Sequence, residues 1–350
     1  MDQTILNEAQ QAVVKGRRWL EEHKSKILEI SDLSAHYKAL YLYTVLGEPN
    51  NSKKYVDLLE NRYLQSDGDF RTTANCKGWI HLACSPANRY VYSNGWIVTG
   101  LRKAGAYGLA RRGIEFIKEF QSKTLGGFFS SFDIKNARVV EQFLDSSSTS
   151  SAGLALLACG FYENAIQAGN FILGMLADQP DLERFYYSSR TAKGDLRIDV
   201  WGEEDQNAVY GRKQYCLSSE APPEGELIWL IGKPMKFLSK LYDYTRDRKY
   251  LDGAKALCGF FHKLGEARWQ NYSSCKIMWA AAELYRHTDE HRYQNTAEKI
   301  LHCLCERQYA DGLWVHNLWY SSPDEQPFAA SLDLVQELCA EIQDTIFDLS

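Results

Sequence analysis

The 350-residue chain has no run of five like charges, no apolar stretch long enough to cross a bilayer and no C-x-x-C pair, and each absence removes a class of function. With 40 basic against 45 acidic residues the formal charge is -5, which leaves no basic footprint for nucleic acid. The longest apolar stretch, around Gly153 to Tyr162, falls short of the about 18 residues a membrane span needs. The first residues, MDQTILNEAQQAVVKGRRWLEEH, alternate polar with apolar, unlike a signal or transit peptide, so the expectation is a cytoplasmic chain. Nine scattered cysteines read as free thiols that pack as small hydrophobes. Walker, GxGxxG, H-E-x-x-H and G-x-S-x-G patterns are all missing, which sets aside nucleotide, nicotinamide, zinc-protease and serine-hydrolase chemistry. No cofactor and no metal site are expected.

What is present is aromatic and helical. The chain carries 21 Tyr, 15 Phe and 9 Trp, many of them outside the helical segments, which favours an aromatic-walled cavity. Helical periodicity recurs from end to end without a credible set of alternating strands, so the expected class is all-α. Start and stop signals place helices at about 3–28, 34–47, 51–64, 89–105, 107–122, 146–159, 161–178, 225–246, 248–264, 272–287, 289–308 and 329–346. Every second junction is a tight turn (GEPN, AGAY, CGFY), whereas 65–88, 123–145, 179–224 and 309–328 are long loops, and long loops without their own structure are usually functional. Hairpins with all long loops at one end predict an (α/α)6 toroid. It forms a single domain over 1–350, with a long insertion at about 179–224. KYVDLLENRYL, RGIEFIKEFQ, KYLDGAKALCGFFHKL and RYQNTAEKILHCLCERQ give a weak repeat of roughly 55 residues.

Three of the hairpins end in related phrases: Gln65-Ser-Asp-Gly68-Asp-Phe70, Gln121-Ser-Lys-Thr-Leu-Gly126-Gly-Phe128 and Gln308-Tyr-Ala-Asp-Gly312-Leu-Trp314. The Gln can bond exposed backbone at a helix end, the Gly supplies a positive φ, and the aromatic packs back on the hairpin. These phrases resemble the QW-type repeats of the squalene cyclase and protein prenyltransferase superfamily, whose α/α toroids enclose an aromatic cavity. The chain departs from that family in its chemistry. The D-x-D-D motif is absent, Asp67-Gly-Asp69-Phe being the nearest string, and so are D-D-x-x-D and a zinc triplet. The resemblance therefore implies architecture, and the reaction has to come from the site.

Candidate residues come from the loop rim. Asp145, before SSSTSSAGLALLACG, is either an N-cap or a cavity acid; Asp133 follows an aromatic run beside Lys135 and Arg138. Glu226, with Glu224 before it, opens a helix one turn ahead of Trp229. His316 lies between Trp314 and Trp319, where an imidazole could serve as acid or base near pH 7, and His81 is the runner-up. Arg71, Arg89, Arg212 and Tyr215 could bind an anionic group, and Tyr37, Tyr41, Tyr92, Trp96, Trp229, Trp279 and Trp314 could face a cavity. The expectation drawn from toroid, aromatics and missing cofactor motifs is a cofactor-independent cyclase or isomerase acting on a hydrophobic terpenoid or polyketide-type intermediate. The alternative is a carbohydrate-active enzyme, a glycoside hydrolase or sugar epimerase using paired carboxylates.

Overall fold

The structure, a computed structural model, describes residues 2–78, 89–198, 215–221 and 226–350. Its contacts divide the chain into two compact units. The first comprises Met1–Ile27, Leu176–Tyr187 and Ile198–Ser350, and the second Leu28–Met175 with Ser188–Arg197.

In the first unit, α9 (Trp229–Thr245), α11 (Cys275–Thr288) and α13 (Phe328–Leu349) pack side by side as one layer. Against them lie α10 (Arg248–Lys263), α12 (His291–Glu306) and α1 (Gln3–Glu22) as a second layer. The layers differ as their sequences require. The helices α1, α10 and α12 bury one stripe each, whereas α11 is buried along the whole of Cys275–Leu284. The second unit repeats this pattern. There α3 (Ala39–Val45), α5 (Tyr92–Lys103) and α7 (Ser146–Cys159) lie in order, with α4 (Pro49–Leu58), α6 (Tyr107–Lys118) and α8 (Tyr162–Ala177) as their hairpin partners in sequence. A short α2 (Lys24–Glu29) follows α1.

The repeat-end phrases work as mechanical staples. Gln121 donates through Nε2 to Gly126 O and to Asn164 O, both at 2.9 Å, and Gln308 likewise bonds Ala12 O at 2.9 Å and Gly312 O at 3.1 Å. Each Gln thus ties its own turn to the next hairpin. Gly68 and Gly126 have φ +91 and +77, and a Cβ there would sit 2.5 Å from Arg112 O and 2.6 Å from Gln167 O. Only glycine lets these turns lie on the following helix. Trp314 completes the third staple, its indole N–H donating to Leu304 O at 2.9 Å.

The expectation of loops without strands is corrected. The long loop after α6 holds a hairpin, β1 (Phe129–Asp133) against β2 (Arg138–Asp145), with a bulge between Phe129 and Ser131. β4 (Ser189–Thr191) adds to β2, and β3 (Phe185–Tyr187) pairs with β5 (Cys216–Ser218). Four of these five strands are only three to five residues long, too short for alternation to show above aromatic-rich loop sequence. Among the described residues no helix is long and apolar enough to cross a membrane.

Candidate functional site

The first unit brings Glu226 and His316 into one bonded network. Asn271, ahead of α11, donates through Nδ2 to Glu226 O at 2.9 Å and accepts from Ser273 N at 2.8 Å. Ser273 Oγ in turn accepts from Ile228 N at 2.9 Å, so the approaches to α9 and α11 are locked together. The Glu226 carboxylate receives the Ser218 N–H at 3.2 Å. On the other side, Tyr272 N donates to Asn317 Oδ1 at 3.2 Å, which joins the start of α11 to the loop carrying His316.

His316 is 6% exposed and in contact with two aromatic rings. Trp319 stacks on it at 3.8 Å between centroids with 14° between planes, and Tyr272 lies across it at 3.9 Å and 55°. Its backbone is fixed as well. His316 N donates to Gln326 Oε1 at 2.6 Å, and Gln326 Nε2 donates to Trp314 O and Ser331 Oγ, both at 2.9 Å. Behind Tyr272 its hydroxyl donates to Glu337, and Lys276 bonds both Glu337 and Glu341. All three charged groups are buried. Isolated, each would be prohibitively desolvated, so the cluster stands only because it is mutually paired.

Further along the same helices a second buried network forms. Lys236 bonds Glu283 at 2.6 Å and Asp348 at 2.9 Å, and Trp279 Nε1 donates to Asp344 at 3.1 Å. Burial would push the Glu283 carboxyl up, but Lys236, His287 and Lys240 hold it well below the usual range. Trp279 lies under Lys233 and Lys236, at 5.6 and 4.7 Å from its ring, and Trp229 is half-buried at the head of α9. Tyr215 is buried beside β5. Asp243, Glu283 and His287 come close enough to share a cation, but Arg286 and Lys240 already occupy those carboxylates.

The other sequence candidates lie in the second unit. Asp145 caps α7, accepting from Ser147 N and Ser148 N at 2.8 Å each; Ser130 donates to it and Arg89 Nε stands 3.8 Å away. Asp133 sits in the β1–β2 turn, accepting from Asn136 N at 3.2 Å and from its side chain at 2.6 Å. Those bonds hold its carboxyl below the usual range. Tyr37 meets Tyr92 edge-on at 6.3 Å, and Tyr41 meets Trp96 at 5.1 Å. Asp69 is fully buried, held by Lys77, Asn94, Tyr90 OH at 2.6 Å and Phe70 N at 2.8 Å, an anchor for the segment after α4. Arg71 stands at its edge, 3.5 Å from Asp69. Arg212, His81 and Glu224 lie outside the described residues.

Sequence reasoning missed Tyr272, Lys276, Glu337 and Asn271. A signal for Glu337 was available: Asp333, Glu337 and Glu341 recur every fourth residue on a largely buried helix, one face of carboxylates that demands buried cations opposite.

No family model and no curated protein sequence matches the chain. Solved structures do. A D-mannose isomerase aligns with TM-score 0.65 and 12% identity, covering 89% of this chain and 86% of that one. A GH76 α-mannanase from Bacteroides thetaiotaomicron aligns at 0.63 and 14%, covering 94% and 95%, and a cellobiose 2-epimerase from Bacillus thermoamylovorans at 0.60 and 11%, covering 89% and 87%. These are sugar enzymes and not members of the squalene cyclase superfamily. They overturn the reading of a terpenoid or polyketide cyclase with a hydrophobic substrate, a reading in which the aromatic content was taken for a hydrophobe's pocket when the same rings serve sugar stacking equally well. The likeness extends over nearly the whole chain, and the fold is that of the (α/α)6 toroid enzymes.

Proposed function

We propose that the chain is a carbohydrate-active enzyme that moves a proton on a sugar: an aldose–ketose isomerase or 2-epimerase with His316 as the acid–base group. The observation that carries this reading is the buried imidazole of His316, a residue type suited to acid–base work, packed against Tyr272 and Trp319 with its backbone held by Gln326. Removing the proton at the carbon beside an open-chain sugar's carbonyl needs one neutral base and no leaving group. Delivery of a solvent-exchangeable proton from the imidazolium to the neighbouring carbon, with the O2 proton passing to O1, gives the ketose, whereas delivery of a proton to the opposite face of the same carbon gives the epimer and needs a second proton donor on that face. Trp319 and Trp229 are half-buried, and such aromatic faces suit the C–H face of a sugar ring.

The same network speaks against hydrolysis. Glycoside hydrolysis needs a carboxylic acid held protonated opposite a second carboxylate. Glu337 is paired with Lys276 and accepts the Tyr272 hydroxyl, so both partners already engage it and it is not free to protonate a glycosidic oxygen. The names of the isomerase and the epimerase among the similar structures agree with proton transfer.

The test is product analysis. The purified chain is incubated with aldohexoses, 2-ketohexoses and reducing disaccharides, and the sugars are separated by chromatography. A new ketose or C2 epimer is expected, with turnover falling about 100-fold or more in His316→Gln. Release of monosaccharides from disaccharides with no isomer formed would refute the proposal.

A further inference from the structure

Tyr272 meets His316 through its ring, while its hydroxyl donates to Glu337. A phenol whose proton is drawn toward a carboxylate is polarised, and its ring becomes richer in electrons. An electron-rich face attracts an imidazolium more than a neutral imidazole. Trp319 stacks a second such face on the imidazole. Beyond Tyr272 stand two carboxylates, Glu337 and Glu341, both bonded to Lys276.

We propose that Glu337 is a positioning residue that sets the proton affinity of His316 through the Tyr272 ring. It deepens the proton-transfer reading and rests on His316 being the base, but Glu337 itself touches neither His316 nor the sugar in this scheme. Burial of His316 disfavours its charged form, and the polarised clamp restores part of that loss. The other charged groups facing this region are Asp333, one turn before Glu337 on α13, and Glu226, joined to the start of α11 through Asn271. The Tyr272 hydroxyl donates to Glu337, so the proposal assigns the effect to Glu337.

The test is a titration of the His316 imidazole by heteronuclear NMR on the full-length protein without sugar, with the resonance assigned by its loss in His316→Gln. Glu337→Gln is expected to lower the His316 midpoint by about one pH unit, a tenfold change in the ratio of its two forms. Tyr272→Phe keeps the ring and cuts the bond. In that background Glu337→Gln is expected to move the midpoint by less than about 0.3 unit, since independent effects would instead add. Glu337→Asp, which keeps the charge, is expected to restore a near wild-type midpoint and provides the readout should the amide variant fold poorly. The proposal is overturned if Glu337→Gln leaves the midpoint where it was, or moves it equally with and without the Tyr272 hydroxyl. Because no sugar is present, these outcomes are independent of whether His316 proves to be the base. The proton-transfer reading fails separately, if His316→Gln keeps full turnover.

Discussion

Replacing Glu283 by Gln should be among the most damaging single changes in the first unit, and its size can be worked from the geometry. Glu283 is fully buried and pairs with Lys236 at 2.6 Å, Lys240 at 2.7 Å and Arg286 at 2.9 Å. Glu283 is the carboxylate that these three cations share, so the amide removes one negative charge while Lys236 stays buried beside Asp348. Lys240 and Arg286 are 34% and 37% exposed and can turn to water, so their pairs count for little. Lys236 is 2% exposed and cannot. Breaking a buried pair by removing one partner costs about 3–5 kcal/mol, and Asp348 still holds Lys236, which places the loss near 3 kcal/mol. The assay is urea denaturation followed by tryptophan fluorescence. The pH dependence has a definite sign. The Glu283 carboxyl is held well below its ordinary value, so its contribution is complete above the unfolded-state pKa, about 4.3, and is lost as pH falls through the folded value. The gap between wild type and variant should therefore close in acid. A loss under 1 kcal/mol at pH 7, or a gap that widens in acid, would refute the reasoning.

Two further substitutions test the second unit. Asp145→Ala removes the carboxylate oxygen that accepts from both backbone N–H groups at the start of α7 and should cost up to about 2 kcal/mol in denaturation, whereas Asp145→Asn keeps the cap and should retain both stability and turnover; a folded, inactive amide variant would instead place the carboxylate in the reaction. Gly95→Ala would bring a Cβ to 2.6 Å from Ser151 O where α5 meets α7, and since the neighbour is backbone, a loss toward the upper end of about 1–3 kcal/mol is expected from the same denaturation curves.

The hairpin architecture was legible because its signals are redundant. Tight turns alternate with long loops, amphipathic helices alternate with apolar ones, and in each staple the aromatic falls two residues after a Gly that itself follows the Gln by three to five. The β1–β2 hairpin escaped notice because its buried positions are shared between serines and phenylalanines, so hydrophobic alternation never develops. Glu226 and His316 were legible as titratable groups among loop aromatics. Tyr272 and Glu337 were not, because their significance lies in a bond between residues 65 positions apart. No local pattern encodes that pairing, although the fourfold recurrence of acids on α13 announces that something basic must face it. Trp314 shows the opposite failure. It looks like a cavity residue in sequence, yet its indole is committed to a helix-end carbonyl. The substrate class was misread for a related reason, since composition reports how many aromatic rings there are and not what they stack upon.

The central claim, proton transfer by His316 at a sugar carbon beside a carbonyl, is tested most directly by following deuterium from solvent into the sugar. Aldohexoses and 2-ketohexoses are incubated with the protein in heavy water and examined by proton NMR. Loss of the C2 proton signal in the aldose, or labelling at C1 of the ketose, with wild type and its disappearance in His316→Gln is the predicted result. Equal labelling by wild type and His316→Gln, or no labelling from any sugar that the wild type binds, would contradict it.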